Sequence, residues 1–482
     1  MTFGIVTLAM GYMLGILGIA MVVPALVDLA WGSPDWKTFA VSALFTLFAA
    51  GTLILASRGS STRMSLRQGF ILTVVSWLTA SAFAALPFLF SGLRIDFADS
   101  FFEAISGLTT TGSTILSGLD GMPPGLLVWR SMLQWVGGIG IIVMGIVMLP
   151  FLRIGGMQLF RLESSDRSSE KILPRPGQLA AWIGGIYLAL TLGCTLLFYV
   201  FGMSGFDAIN HAMTTVSTGG YSTHDASLGH FASPAIFWSA TVFMVLGALP
   251  FGVYIVTVRR NAMALLRDTQ VRGFIALLAA VWAVLTLWRV ATSGEDWFAA
   301  LTAVAVNTTS VITTTGFATE DYTLWGAAAV GSFFMLTFLG GCAGSTSGGF
   351  KTYRLQIAFA MLAQTLRSTL TPHGVFPTRY GGRKVEEDVR ESVAGFAMLY
   401  ALTIAALALV LSFIGLDFAT AVSGALTAVA NVGPGVGTEI GPAGNFAALP
   451  DSAKWALSIG MLMGRLEIVT VLVLLAPESW RG

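Results

Sequence analysis

Charged side chains make up only 11% of this 482-residue sequence, and they nearly cancel, leaving a net charge of +1. A soluble globular chain carries roughly a quarter charged residues, so that class is excluded. Cysteine is almost missing as well. Cys194 and Cys342 each sit in an apolar or glycine-rich setting, which leaves neither a disulfide framework nor a thiolate metal site and gives no sign of redox chemistry. No basic residue precedes the first apolar run, Phe3 to Leu29, and that run is longer than a signal-peptide core, so it reads as a retained span. What the sequence does have is apolar surface: 55% hydrophobic residues and a mean hydropathy of +0.78. The expected fold class is therefore an all-α integral membrane protein.

With roughly 20 apolar residues needed per crossing, the pattern predicts about ten spans, near 3–31, 38–57, 69–91, 124–150, 179–203, 232–257, 273–293, 322–366, 391–414 and 452–476. Little chain is left for a soluble domain, so function is expected within the membrane. If the loops carrying Arg58, Arg63 and Arg67, Arg153 to Arg175, Arg259 to Arg272, Lys351 to Arg390 and Arg481 share one side, they hold 20 of the 26 basic residues. That side is expected to be cytoplasmic, with both termini on it. The opposite side has Lys37, Arg94, Arg130, Arg289 and Lys454, and it is rich in acids: Asp96, Asp99, Glu103, Asp120, Asp207, Asp225, Glu295, Asp296, Glu320, Asp321, Asp417, Glu439 and Asp451. Such a surface would concentrate cations at an entrance.

One short motif recurs four times: TTTG at Thr109 to Gly112, VSTG at Val216 to Gly219, TTTG at Thr313 to Gly316, and AVANVG ending at Gly433. Each copy lies between two apolar stretches and follows a short segment, Phe101 to Leu108, Phe206 to Thr215, Trp297 to Ile312 or Phe418 to Val429, most of them too short to span. A half-helix dipping in from outside aims the negative end of its dipole at the membrane centre, and four such ends favour a cation. Backbone carbonyls and threonine hydroxyls can replace its water shell. Gly112, Gly219, Gly316 and Gly433 would adopt backbone angles closed to other residues and let four strands approach one axis. The expected ion-binding set is Thr110, Thr111, Gly112, Thr218, Gly219, Thr314, Thr315, Gly316, Asn431, Val432 and Gly433. The fourth copy lacks threonine, so its carbonyls would do most of the coordination, stiffened by Pro434.

A second polar stretch, GGCAGSTSGG, interrupts the run from Trp325 to Leu366. Irregular backbone at membrane depth is tolerated only beside protein or a water-filled cavity. Gly340, Gly341, Gly344, Ser345, Thr346, Ser347, Gly348 and Gly349 are therefore expected to form a gate loop beneath the filter. The stretch Gly344 to Thr352 imitates a phosphate-binding loop, but Phe350 parts glycine from Lys351 and no strand precedes it; Gly138 and Gly140 likewise lack the acid of a dinucleotide site. Arg465, inside the last span, is a functional residue by default. Its five donors would tie down loop carbonyls while its charge repels a passing cation. Glu467 should lie on a different face. Asp207 and His211 share a helical face and are read as orienting the filter surround rather than as an acid/base pair, since no nucleophile accompanies them.

The strings WRSMLQWVGGIGIIVMGIVMLP from Trp129, TVSTGGYSTHDASLGHF from Thr215, GGCAGSTSGGFKTYR from Gly340 and MLMGRLEIVTVLVLLAPESWR from Met461 together resemble the TrkH/TrkG-type potassium-transporting subunits of bacterial Trk systems, within the Trk/Ktr/HKT superfamily. The resemblance covers nearly the whole chain. It implies an N-terminal two-helix extension (1–57) and four helix, pore-loop, helix repeats (69–150, 179–257, 273–366 with the broken gate helix, and 391–482) with pseudo-fourfold symmetry around one central pore. Glycine in all four filters implies K⁺, so K⁺ would occupy the filter and Arg465 would stand as a barrier below it. It further implies a homodimer in the bacterial inner membrane and a cytosolic TrkA-type ring on which NAD(H) and adenine nucleotides would bind, with no organic cofactor on this chain. Membrane lipids are expected around it, and no nucleic acid. A gated channel is the expected mechanism, because beyond Arg465 and Glu467 no intramembrane carboxylate or histidine is legible. The alternatives are H⁺- or Na⁺-coupled symport and, distantly, a membrane enzyme.

Overall fold

The computed structural model describes residues 4–59, 65–148 and 176–477. Arg63, the basic segment Arg153 to Arg175 and Arg481 lie outside the described residues.

Among the described residues, seven helices are long and apolar enough to cross a membrane unbroken: Gly4–Trp31, Trp36–Ala56, Arg67–Phe90, Pro124–Ile142, Gly177–Val200, Thr269–Ser293 and Glu387–Ile414. The other three expected spans are interrupted. Pro234–Gly247 and Phe251–Arg259 meet at 91°, and Asp451–Arg465 and Ile468–Leu475 meet at 111°. Both had been expected as continuous. Pro250 explains the first bend, since it has no N–H to continue the ladder; Phe251 N–H donates instead to Gly344 O at 2.9 Å. At the second, Glu467 adopts φ 61°, which no helix accommodates. The third, expected as 322–366, divides into Ala327–Thr337 and Thr352–Leu370 on either side of the polar loop.

Between the spans lie four short helices: Phe97–Leu108, Gly205–Val216, Trp297–Ile312 and Phe418–Ala430. Their starts are written into the sequence. Asp96, Ser204, Asp296 and Asp417 each sit one residue ahead and accept a hydrogen bond from a first-turn N–H, Asp99, Asp207, Phe298 and Ala419 respectively. Three of the outer acids are therefore helix caps. Towards their C-terminal ends the four helices are buried on every side, while large apolar residues of the longer helices such as Leu44, Phe48, Leu196, Leu402 and Phe413 point outward, as lipid contact requires.

The N-terminal pair of helices is tied to the rest by a buried carboxylate. Asp28 accepts from Gly125 N–H at 2.7 Å, at the start of the helix Pro124–Met148, where its charge faces the positive end of the dipole. Apart from one hairpin of two-residue strands, Arg379–Tyr380 and Arg383–Lys384, the described residues are helix, turn and loop.

Candidate functional site

All four short helices end in the same device. Thr110, Thr218, Thr314 and Asn431 take left-handed backbone angles, with φ of 52°, 52°, 58° and 56°. Each donates its N–H three residues back, and the next residue donates five back: Thr111 to Ser106 O, Gly219 to Thr214 O, Thr315 to Ser310 O and Val432 to Thr427 O, at 2.7–3.1 Å. This is a Schellman cap, usually closed by glycine. A threonine or asparagine there costs about 1–3 kcal/mol unless the surroundings impose it. Four equivalent cases of that strain mark one site.

Two residues on, Gly112, Gly220, Gly316 and Gly433 return to positive φ, at 84°, 77°, 88° and 103°. The second copy thus reads Thr218-Gly219-Gly220, and the expectation for Gly219 is corrected: the glycine with the special backbone angle is Gly220. Gly219 matches Thr111, Thr315 and Val432, and it is glycine for another reason, since a Cβ there would lie 2.4 Å from Cδ of Gln134. The glycines also fix how the copies are arranged. A Cβ on Gly112 would stand 2.2 Å from Gly219 O, on Gly220 1.9 Å from Thr315 O, on Gly316 2.3 Å from Val432 O, and on Gly433 2.9 Å from Thr111 O. Each strand therefore abuts the carbonyl of the next in the order one, two, three, four and back to one. Four chain segments close a ring lined by peptide oxygens.

The threonine hydroxyls divide into two groups. Those of Thr111 and Thr315 bond to Thr109 and Thr313 at 2.7 and 2.8 Å, tying the strands to their own helices, and Thr111 also accepts from Asn431 Nδ2 at 2.9 Å. Those of Thr218 and Thr314, both left-handed, face the polar loop. Thr218 Oγ1 lies 3.2 Å from Thr346 Oγ1, and Thr314 Oγ1 accepts from Gly348 N–H at 2.7 Å. Thr110 Oγ1 is fully buried with no partner. A buried hydroxyl without a protein partner is rare and calls for a ligand or water.

Several supporting residues escaped the sequence reading. Glu103, expected among the solvated acids of the outer side, is fully buried on the first short helix, 2.7 Å from Nε of the equally buried Arg130. Its oxygens also accept from Thr114 Oγ1 and Ile115 N–H, each at 3.0 Å, while Arg130 reaches Ser222 O at 2.9 Å and lies over the Tyr221 ring at 4.1 Å. One ion pair thus holds the outgoing strands of the first two copies. The expectation that no intramembrane carboxylate is present beyond Glu467 is corrected by Asp28, buried within the span Gly4–Trp31. Gln134 bridges the second strand, donating to Gly219 O at 2.6 Å and accepting from Tyr221 N–H at 3.0 Å. Lys454, assigned to the outer surface, is buried and pairs with Asp99 at 2.5 Å. His211 binds Ser222 Oγ through Nε2 at 2.9 Å, whereas the Asp207 carboxylate turns to Ser204 and Thr223, so the two side chains make no acid/base pair.

Beneath the ring runs the polar loop between Thr337 and Thr352. Cys342 N–H donates to Ala248 O, Thr346 Oγ1 to Val216 O and Gly247 O, and a Cβ on Gly348 would meet Ala430 O at 2.5 Å. The loop therefore touches the ends of the second, third and fourth short helices at once. Arg465, the last residue of its helix and almost wholly buried, donates to Thr346 O at 2.8 Å and to Gly137 O at 3.3 Å, so it spans from the loop to the first copy. Glu467 is not its partner; it pairs with Arg354 at 2.7 Å, whose guanidinium lies 3.6 Å from the Phe396 ring centre. Lys351 Nζ bonds Ser347 O within the loop itself.

Residues 37–481 match the family model described as a cation transport protein, TrkH. The chain is 49% identical over 97% of its length to the Trk system potassium uptake protein TrkI of Halomonas elongata, covering 94% of that protein. It is 35% identical to the Trk system potassium uptake protein TrkH of Escherichia coli, with both chains fully covered. The crystal structure of the potassium transporter TrkH from Vibrio parahaemolyticus superposes with a TM-score of 0.92 at 33% identity over the whole of both chains.

Proposed function

The chain belongs to the TrkH family of cation transport proteins, and on that premise we propose that it takes up K⁺ across the bacterial inner membrane through a gated, K⁺-selective pore, as the transporting subunit of a Trk-type system. The family is one of transporters, not of enzymes, and the chain is a multi-span membrane protein. One observation carries the reading: the ring in which Gly112, Gly220, Gly316 and Gly433 each abut the carbonyl of the neighbouring strand. Partial negative charge from four helix C-termini converges on that ring, and its oxygens can stand in for a cation's water. The buried, unpartnered Thr110 hydroxyl supports a further binding position next to the ring.

The same arrangement supports a reading of four pore repeats, with the polar loop as gate and Arg465 as barrier. The loop bonds to Thr218 and Thr314 below the ring, so ion passage requires it to move. Conduction down the gradient is favoured over H⁺- or Na⁺-coupled symport, because Glu103 already accepts from Arg130, Thr114 and Ile115 and Asp28 lies in the N-terminal pair of helices, outside the four segments of the ring. The named relatives are parts of a Trk system, and a cytosolic TrkA-type ring binding NAD(H) and adenine nucleotides is the partner we assign to the basic side. Homodimer assembly is supported by Thr352–Leu370, which is not apolar enough to count as a span yet exposes Phe359, Leu362 and Leu366.

The test is K⁺ against Na⁺ flux into proteoliposomes with zero and imposed pH gradients. K⁺-selective flux indifferent to the proton gradient is expected; uphill flux driven by that gradient would assign symport, and no cation flux in folded protein would end the pore reading. Arg465→Ala in the same assay is expected to raise unregulated flux by about tenfold, the equivalent of losing one charged hydrogen bond to the loop. Arg465→Lys, which keeps the charge, should fall between. Slower flux through folded Arg465→Ala would make the arginine a packing residue instead.

A further inference from the structure

On the side from which the short helices enter, a second cluster lies outside the ring. His224 and His230 stack with ring centres 3.5 Å apart and planes within 3°. Parallel face-to-face stacking is the aromatic arrangement least favoured by ring electrostatics, so something else holds the edges in register. Both Nδ1 atoms converge on one oxygen: Asp120 Oδ1 is 2.5 Å from Nδ1 of His224 and 3.9 Å from Nδ1 of His230. Three ligand atoms around a tetrahedral zinc ion, with bonds of about 2.0–2.1 Å, stand roughly 3.3 Å apart. The two distances bracket that value, and all three donor atoms lie within 4.8 Å of one another.

The surroundings are built as metal sites are. His224 Nε2 is buried without a hydrogen-bond partner but lies 3.4 Å from Asp207 Oδ1, the carboxylate placement that sets a ligating imidazole's tautomer and orientation. Asp207 is held by Ser204 Oγ and Thr223 Oγ1, each at 2.7 Å. The turn carrying Asp120 is fixed by Asp225, whose carboxylate accepts from Gly118 and Leu119 N–H at 2.9 and 3.2 Å. Asp120 and His230 are about half exposed, which leaves a way in and a position for water.

We propose that Asp120, His224 and His230 form a site for one transition-metal ion of the Zn²⁺ class. Two imidazoles and a carboxylate suit Zn²⁺, Co²⁺ or Ni²⁺ better than the hard, all-oxygen preferences of Ca²⁺ or Mg²⁺. The ion would join the strand four residues beyond Gly220 to the turn beyond the first short helix, fastening two repeats at the mouth of the ring.

The probe is Co²⁺, titrated into the purified, chelator-treated full chain carrying no polyhistidine tag, followed by its visible d–d absorption and by Zn²⁺ competition. One equivalent with four- or five-coordinate bands is expected. His230→Ala and Asp120→Asn should each weaken binding at least tenfold while eluting as the unaltered protein does. His373→Ala, which removes an exposed histidine far along the chain, should change nothing. Unchanged titration in His230→Ala, or Co²⁺ that binds with only six-coordinate aqueous bands, overturns the proposal. The readout is binding, so it is independent of which ion the pore carries.

Discussion

Gly112→Ser is expected to relax K⁺ over Na⁺ discrimination by tenfold or more, and Gly220→Ala to do so at least as severely. At Gly112 the added carbon falls 2.2 Å from Gly219 O and 3.6 Å from Thr315 O, among the carbonyls of two other strands; at Gly220 it falls 1.9 Å from Thr315 O. Ordinary contact needs more than 3 Å, and backbone atoms cannot swing aside as a flexible side chain can. The left-handed φ of 84° and 77° adds strain whatever the space. The neighbouring strand must therefore retreat, and a ring of oxygens that fits one ion size no longer does. A tenfold loss of discrimination corresponds to only about 1.4 kcal/mol of differential stabilisation.

Gly219→Ala is the discriminating control. There the Cβ meets the Gln134 amide, 2.4–2.8 Å away, which is side chain. A Gly219→Ala/Gln134→Ala double variant should recover much of the selectivity that Gly219→Ala loses, whereas Gln134→Ala should not rescue Gly220→Ala. Equal damage at 219 and 220, or rescue of both, would return the ring glycine of the second repeat to position 219. The readout is relative ⁸⁶Rb⁺ and ²²Na⁺ uptake in proteoliposomes.

That register is the clearest case of what a linear reading misses. The four motifs were legible because threonine and glycine recur between apolar runs, and the short helices came out nearly as expected; Trp297–Ile312 agrees at both ends. Gly219 and Gly220 are adjacent glycines, and only backbone angles tell which one carries the turn. The bends escaped because hydropathy stays high across Pro250 and across Glu467, and composition reports burial in lipid rather than direction. Charged groups misled for a related reason. Glu103 and Arg130 stand 27 residues apart, and Lys454 and Asp99 355 apart, so each reads in the linear sequence as a surface residue beside a membrane boundary, whereas the first two form a buried pair and Lys454 is buried against a half-buried Asp99. Arg465 could be singled out because its flanks are apolar, but its carbonyl partners, Thr346 and Gly137, are set by tertiary packing alone.

The buried Glu103–Arg130 pair leads to the second large effect. Neither side chain is exposed by more than 1%, and removing one partner leaves the other's charge without compensation in a low-dielectric interior. Arg130→Gln should cost about 3–5 kcal/mol, enough to lower the thermal midpoint of the detergent-solubilised protein sharply, as followed by size exclusion after heating. Replacing both charges, as Glu103→Gln with Arg130→Met, should recover much of that stability, because no uncompensated charge is then left in the interior. Function should not recover alongside it. Arg130 also donates to Ser222 O and covers the Tyr221 ring, and Glu103 holds Ile115 N–H, so the double variant loses the fastening of both outgoing strands even when it folds. A stable double variant with poor ion discrimination is the expected outcome. If it were as unstable as Arg130→Gln, the pair's hydrogen bonds rather than its charge balance would be holding the fold; if it were stable and fully selective, the ring would owe its shape to the Schellman caps and glycines alone.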